Sequence, residues 1–201
     1  AQCLVGSEMC IRDRCKNTII PEDIKSIGVD AFYRCTGLTN IEIPDSVKTI
    51  GTRAFNGCTG LTSIEIPNSV TSIGKSAFYN CTSLISITLP FIGNGSNETH
   101  FGYIFGADYS SDNYRYVPTS LKVVIITEAT IIDDYAFYHC TSLTNIIIPN
   151  SVTSIGSSAF SDCTSLTSIT LPFIGNGSNK THFGYIFGCL LYTSPSPRDT
   201  E

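Results

Sequence analysis

The sequence predicts a repeat solenoid, with a parallel β-sheet along one face and short helices or turns along the other. Three observations predict it. Pro21, Pro44, Pro67 and Pro90 are each 23 residues apart, and the same step separates Pro149 from Pro172. The best-formed unit, "IPNSVTSIGKSAFYNCTSL", has a skeleton of Ile-Pro, Ser-Val, Ile-Gly, Ala-Phe, Cys-Thr and Leu that recurs along the chain. A longer echo overlies the short one: "FIGNGSNETHFGYIFG" at 91–106 returns as "FIGNGSNKTHFGYIFG" at 173–188, an offset of 82. A fixed period of this kind marks an array of stacked coils, each contacting only its neighbours.

Each coil can be built from its residues. In "LTSIEIP" at 61–67, Ile64 and Ile66 share a face by strand alternation, and the β-branched content suits a short strand. Pro67 lacks the N–H that would continue a ladder, so the strand stops there. Asn68 and Ser69 suit the following turn, and Gly74 after Ile73 supplies a position free to take positive φ. "KSAFYNC" offers about one helical turn, too short to be stable alone. Strands are expected near 18–20, 38–43, 61–66, 84–89, 121–126, 143–148 and 166–171. Each large apolar side chain buried between coils contributes roughly 1.5–3 kcal/mol, so a coil is stable between two neighbours and unstable alone.

The pattern breaks once. From Pro90 to Leu121 is 31 residues, where Pro67 to Leu84 is 17, and the extra length near 91–117 carries a Tyr-, Ser- and Asp-rich stretch. Insertions in repeat proteins fall in loops on one face, and such loops often bind. Tyr103 and Phe105 are expected in the core in place of Ala-Phe, with Tyr109, Tyr114 and Tyr116 exposed.

Residues 1–14 and 189–201 are expected to stand apart from the array, because the period stops at both ends. "CLLYTSPSPR" from Cys189 back-translates to a DNA segment whose reverse complement encodes "LVGSEMCIRD", which is Leu4 to Asp13. Two peptides from opposite strands of one segment look like a sequencing adapter translated at both ends of an insert, leaving 15–188 as a fragment of a longer solenoid.

The net charge of −5 is mild and charged residues make up only 14% of the chain. No basic stripe points to nucleic acid, and no long apolar run points to membrane insertion. Cys35, Cys58, Cys81, Cys140 and Cys163 occur once per regular coil, and Cys15 falls at a Leu position. Neighbouring rungs about 4.8 Å apart hold parallel side chains slightly too far apart for a disulfide, so buried thiols acting as small hydrophobes are expected.

No constellation carries catalysis, and no cofactor or metal is implied. His100, His139 and His182 lack a second ligand at short spacing, so they are read as loop decoration. "GNGSN" at 93–97 lacks the Lys of a phosphate loop and reads as a turn. Asp133 and Asp134 fall at the Ile-Gly turn rather than across a cleft, with Asp133 in the glycine's place. The Thr after each ladder Cys is expected to bond turn backbone between coils.

Two surfaces remain as candidate binding sites. Outward strand positions run Glu42, Glu65, Thr88, Ile125, Ile147 and Thr170 in one row, and Asn40, Ser63, Ser86, Val123, Asn145 and Ser168 in the next. Val123, Ile125 and Ile147 are thereby expected to make a small exposed apolar patch beside an acidic end. The second surface is the insertion, with Tyr109, Tyr114 and Tyr116, residues that offer large contact area with few rotors.

At this point "IPNSVTSIGKSAFYNCTSLISITLP" resembles the BspA-like class of leucine-rich repeats, and the resemblance covers nearly all of 15–188 apart from the insertion. It implies an α/β-type leucine-rich repeat solenoid, found mainly in large bacterial surface proteins, with adhesion and host-protein binding as the usual role. It transfers no catalytic residue. The expectation is therefore a non-enzymatic binding module, at the cell surface or secreted, whose partner is an extracellular protein or glycan. The alternatives are a passive spacer and the targeting region of a larger secreted enzyme.

Overall fold

The computed structural model describes residues 15, 18–173 and 183–188. Short parallel strands stack into a solenoid, as the period requires. The main sheet is built from β3 (Ser63–Glu65), β5 (Ser86–Leu89), β6 (Val123–Ile126), β8 (Asn145–Ile147) and β10 (Ser168–Thr170), in that spatial order and parallel throughout. Glu65 pairs with Thr88, Thr88 with Ile125, Ile125 with Ile147, and Ile147 with Thr170, so the predicted outward row is the observed register.

Two expected strands do not form. Residues 18–20 and 38–43 have no strand assignment, although Ile20, Ile41 and Ile43 are buried and Thr62 N–H still donates to Thr39 O at 3.2 Å. Extending the main sheet to 38–43 would set Glu42 directly beside Glu65, and like charges opposite one another oppose pairing.

A second set of strands comes from the Ile-Gly segments, which the sequence reading takes as turns. β1 (Ser26–Ile27), β2 (Thr49–Ile50) and β4 (Ser72–Ile73) form a three-stranded parallel sheet; β7 (Ile131–Ile132) and β9 (Ser154–Ile155) form a two-stranded one. The insertion separates them. Ile73 N–H donates instead to Asn94 O at 3.4 Å, so the insertion closes the edge of the first small sheet.

The glycines of these segments serve a different purpose from the expected one. Gly74 does not take positive φ; a Cβ there would lie 2.3 Å from Thr52 N, and one at Gly51 would lie 2.6 Å from Gly28 C. They are glycines because the preceding coil's backbone presses against them. Gly28 has nothing within 4 Å of such a Cβ. Asp133 fits the same rule, since it follows the insertion and, among the described residues, β7 pairs only with β9.

The Ala-Phe segments are turns rather than helical turns, for a conformational reason. Nine non-glycine residues hold φ between 53° and 59°, placed just before Ala and just before Cys in each regular coil: Asp30 and Arg34, Ser76 and Asn80, Tyr135 and His139, Ser158 and Asp162, with Arg53 partnered by Gly57. A left-handed residue at each end prevents a helix from propagating. The backbone pairs between coils instead: Phe32 N–H donates to Ala54 O at 2.7 Å, Phe55 to Ala77 at 2.8 Å, and Phe137 to Ala159 at 2.7 Å.

These turns hold the rings in register. Phe32 stacks on Phe55 with centroids 5.0 Å apart, and Phe55 on Phe78 at 5.4 Å, both pairs 2° from parallel. The ladder cysteines lie beside them as buried thiols, and Cys58, Cys81 and Cys163 donate to the Phe carbonyl of the preceding coil at 3.1–3.3 Å. Burial raises the Cys81 and Cys140 thiols well above their ordinary range and pushes Cys163 up to about 12. Thiols held protonated in this way pack as small hydrophobes and are poor nucleophiles.

Ser and Thr hydroxyls outside the Cys-Thr pair bond from coil to coil. Ser46, Ser69 and Ser151 donate to Ile24 O, Val47 O and Ala129 O, while Thr62, Thr71, Thr144, Thr153 and Thr167 donate to backbone one coil earlier.

Candidate binding surfaces

The insertion is an ordered part of the stack. A 3-10 helix at Phe101–Phe105 places Ile104 and Phe105 where Ala-Phe stands in a regular coil, and Phe78 N–H donates to Ile104 O at 2.8 Å. Phe105 lies 6.3 Å from Phe78, Phe101 5.3 Å from Phe105, and Phe137 5.0 Å from Phe101. The ring side therefore holds two layers where the main sheet, with β5 paired directly to β6, advances by one rung. Phe105 is core, as expected, and Tyr103 is partly buried against it.

Beyond this wedge an arm runs over the turn side of the neighbouring coils, carrying a 3-10 turn at Ser110–Asp112 and the short helix α1 (Asn113–Tyr116). Asn113 is fully buried and fastens it. Its Oδ1 accepts from Gly102 N–H at 3.0 Å, and its Nδ2 donates to Tyr138 O at 2.8 Å. An ion pair between Lys75 and Asp108 adds a second tie.

The three arm tyrosines divide. Tyr109 is 71% exposed and Tyr114 46%, but Tyr116 is half-buried, packed on the core and 6.2 Å from Tyr79. The expectation that all three are exposed is corrected for Tyr116, because the short helix turns its ring inward. Tyr114 instead joins a cluster that sequence reasoning missed: its ring stands edge-on to His139 at 5.8 Å, His139 stacks on Tyr138 at 4.0 Å, and Tyr138 meets Tyr135 at 5.6 Å. Arg115 Nε donates to the Tyr114 hydroxyl at 2.6 Å.

Nor is His139 isolated decoration. Its Nε2 lies 3.2 Å from Asp162 Oδ2 and its Nδ1 3.3 Å from Ser111 O. Asp162 is 23 residues further on, one coil away, as Arg53 and its bidentate partner Asp30 also are. The period itself is the signal that would find such pairs. Asp134 is structural, accepting from Ser157 N–H at 2.7 Å, and Asn94 Oδ1 closes the "GNGSN" turn by accepting from Ser96 and Glu98 N–H. His182 lies outside the described residues.

The other candidate surface is the outward face of the main sheet. Val123, Ile125 and Ile147 sit side by side in the register and are half-buried, a flatter apolar strip than full exposure would give. Toward the first coils the face opens into a groove of about 730 Å³ whose lining includes Glu22, Glu42, Asp45, Glu65, Ser86 and Thr88. None of those four carboxylates forms an ion pair with a Lys or Arg among the described residues. The arm and the sheet face are separate surfaces, since the arm's contacts are with the turn segments at 75–79 and 135–139.

Among the described residues, no group of three or more His, Cys, Asp or Glu stands where it could hold a metal ion, and no helix is long and apolar enough to cross a membrane.

Among solved structures, the chain is similar to a leucine-rich cell surface protein from Faecalibacterium prausnitzii (37% identity, 74% of this chain and 37% of that one, TM-score 0.46). It is similar to a leucine-rich repeat protein of T. pallidum (32% identity, 77% and 57% covered, TM-score 0.39). A leucine-rich repeat protein from Eubacterium ventriosum shares the fold (24% identity, 89% and 44% covered, TM-score 0.57). The chain thus spans 57%, 37% and 44% of the length of the T. pallidum, Faecalibacterium and Eubacterium proteins. A search of curated proteins finds no match. The model of the BspA type leucine-rich repeat region matches six copies over residues 5–103 and 111–189. The chain belongs to the BspA-type leucine-rich repeat family.

Proposed function

We propose that this chain is part of a non-enzymatic adhesion module that works at the cell surface or in secreted form and engages an extracellular protein or glycan. Residues 15–188 form the module in this reading, and residues 1–14 and 189–201 derive from adapter DNA. Repeats of this family supply a protein-binding scaffold, and a solved similar structure is described as a cell surface protein.

The observation that carries the proposal is the arm. A flexible loop would lose entropy on binding, whereas this one is fastened by a buried asparagine and holds Tyr109 and Tyr114 exposed, with Tyr114 edge-on to His139. Ring faces and hydroxyls together suit both a protein surface and a sugar ring. Val123, Ile125 and Ile147 offer a second contact strip on the sheet face.

The test is binding of residues 15–188 to an array of extracellular matrix proteins and glycans, beside a Tyr109→Ser, Tyr114→Ser variant and a Val123→Ser, Ile125→Ser variant. A ligand whose binding drops about tenfold in the tyrosine variant is the expected result, equivalent to about 1.4 kcal/mol. Binding to nothing on the array would favour a passive spacer, and binding unchanged in both variants would place the contact on neither the arm nor the apolar strip.

A further inference from the structure

The insertion is fastened where a histidine is also buried. His100 is 9% exposed and directly precedes the 3-10 helix of the wedge. Its Nδ1 lies 3.4 Å from Asn113 Oδ1, the oxygen that accepts from Gly102 N–H. An oxygen acceptor there assigns the neutral ring's proton to Nδ1, so Nε2 carries the lone pair. That Nε2 is buried with no hydrogen-bond partner among the described residues.

The charged and titratable groups around the ring are few. Glu98 Oε2 is 3.9 Å from Nε2, Asp108 and Lys75 pair with each other nearby, and the Tyr103 ring stands edge-on at 6.2 Å. Among the described residues, no acceptor is within hydrogen-bond reach of a proton on Nε2.

We propose that His100 is a pH-sensitive latch for the insertion: neutral, it closes the Asn113 contact, and protonated, it releases the arm. A proton on Nε2 would put a full charge and an unpaired donor into a buried site, and the ring reaches water only by leaving it. Leaving removes one of the contacts on Asn113 Oδ1 and uncovers the root of the arm. Burial holds the imidazole below its ordinary range, against the opposing pull of Asn113, Glu98 and Asp108. The latched state is therefore the one that binds fewer protons. Its hold is fully present above about pH 6.5 and weakens as pH falls below that, because the released ring takes up the proton.

The consequence for binding rests on the arm being the contact surface, but the latch itself does not. The test is amide exchange of the ligand-free protein over residues 100–117, corrected for intrinsic rates, at about pH 7.5 and about pH 5.5. The expected result is about a tenfold loss of protection in the arm at the lower pH, with residues 55–81 unchanged. His100→Asn, which keeps a donor near the Nδ1 position, should abolish the response. Glu98→Gln, which removes the carboxylate that favours the protonated ring in its buried position, should enlarge the loss of protection at the lower pH. Protection equal at both pH values in the wild type would overturn the latch, as would a response that persists in His100→Asn. A failed ligand search leaves this result readable, and a pH-insensitive arm leaves the binding proposal standing.

Discussion

Two junctions in this solenoid do the same job by different means. Between Phe55 and Phe78 two near-copies meet: the rings lie 5.4 Å apart and 2° from parallel, and Phe55 N–H donates to Ala77 O. Between Phe78 and Phe137 the chain interposes two further rings, tilted by 50°, 59° and 36° along the stack, and secures them with the polar contacts of Asn113. Repetition alone sets the geometry of the first junction. The second departs from the repeat, so its fit has to be specified by residues that occur only there.

The largest expected effect falls on the regular junction. Phe78→Ala removes a fully buried ring stacked between Phe55 and Phe105, and should cost about 3–5 kcal/mol in urea denaturation. A loss under about 1 kcal/mol would mean that the ring column does not hold the coils together. Asn113→Ala sharpens the contrast from the other side, leaving Gly102 N–H and Tyr138 O without their partner at a cost of about 1–3 kcal/mol for each buried group. Limited proteolysis should then cut within 107–117 while the coils before Phe78 stay resistant.

Gly74→Ala and Gly28→Ala compare a glycine under another coil with one that has none. The added methyl at Gly74 meets Thr52 backbone at 2.3 Å and should cost about 1–3 kcal/mol, whereas at Gly28 it meets nothing within 4 Å and should stay within about 0.5 kcal/mol. Equal melting points for the two variants would contradict the packing account of these glycines.

The smallest effect is alkaline. The Cys163 thiol is raised by burial, so its contribution is fully present below about pH 8.5, where the unfolded thiol titrates, and is lost as pH rises toward about 12. Cys163→Ala should flatten that part of the stability profile, as measured by denaturant midpoints across the range.

The 23-residue step makes the Glu65–Thr88 and Ile147–Thr170 pairings legible in the sequence down to single residues, and Thr88–Ile125 and Ile125–Ile147 follow from the alternation of side chains once the pattern resumes at Leu121. The small sheets are less legible. Ile-Gly resembles a turn, and nothing in Thr49–Ile50 announces a strand only two residues long. The left-handed positions are hidden because Arg53, Tyr135 and His139 are not turn-forming residues; their conformation is imposed by the packed Phe and Cys on either side. His139 with Asp162 could be read from the period, since one coil separates them. The arm could not, because Asn113 meets Gly102 and Tyr138 through contacts that no repeat anticipates.

The central claim is that the insertion is as firmly built as the coils it interrupts, and so presents Tyr109 and Tyr114 on a fixed base. Amide exchange at neutral pH tests it most directly, comparing Phe101, Gly102 and Val117, whose N–H groups donate to Ala136 O, Asn113 Oδ1 and Asn113 O, with Phe55 and Phe78 in the regular stack. Protection of the same order in both sets is the predicted result. Exchange of the three insertion amides near the rate of a free peptide, with Phe55 and Phe78 still protected, would contradict it.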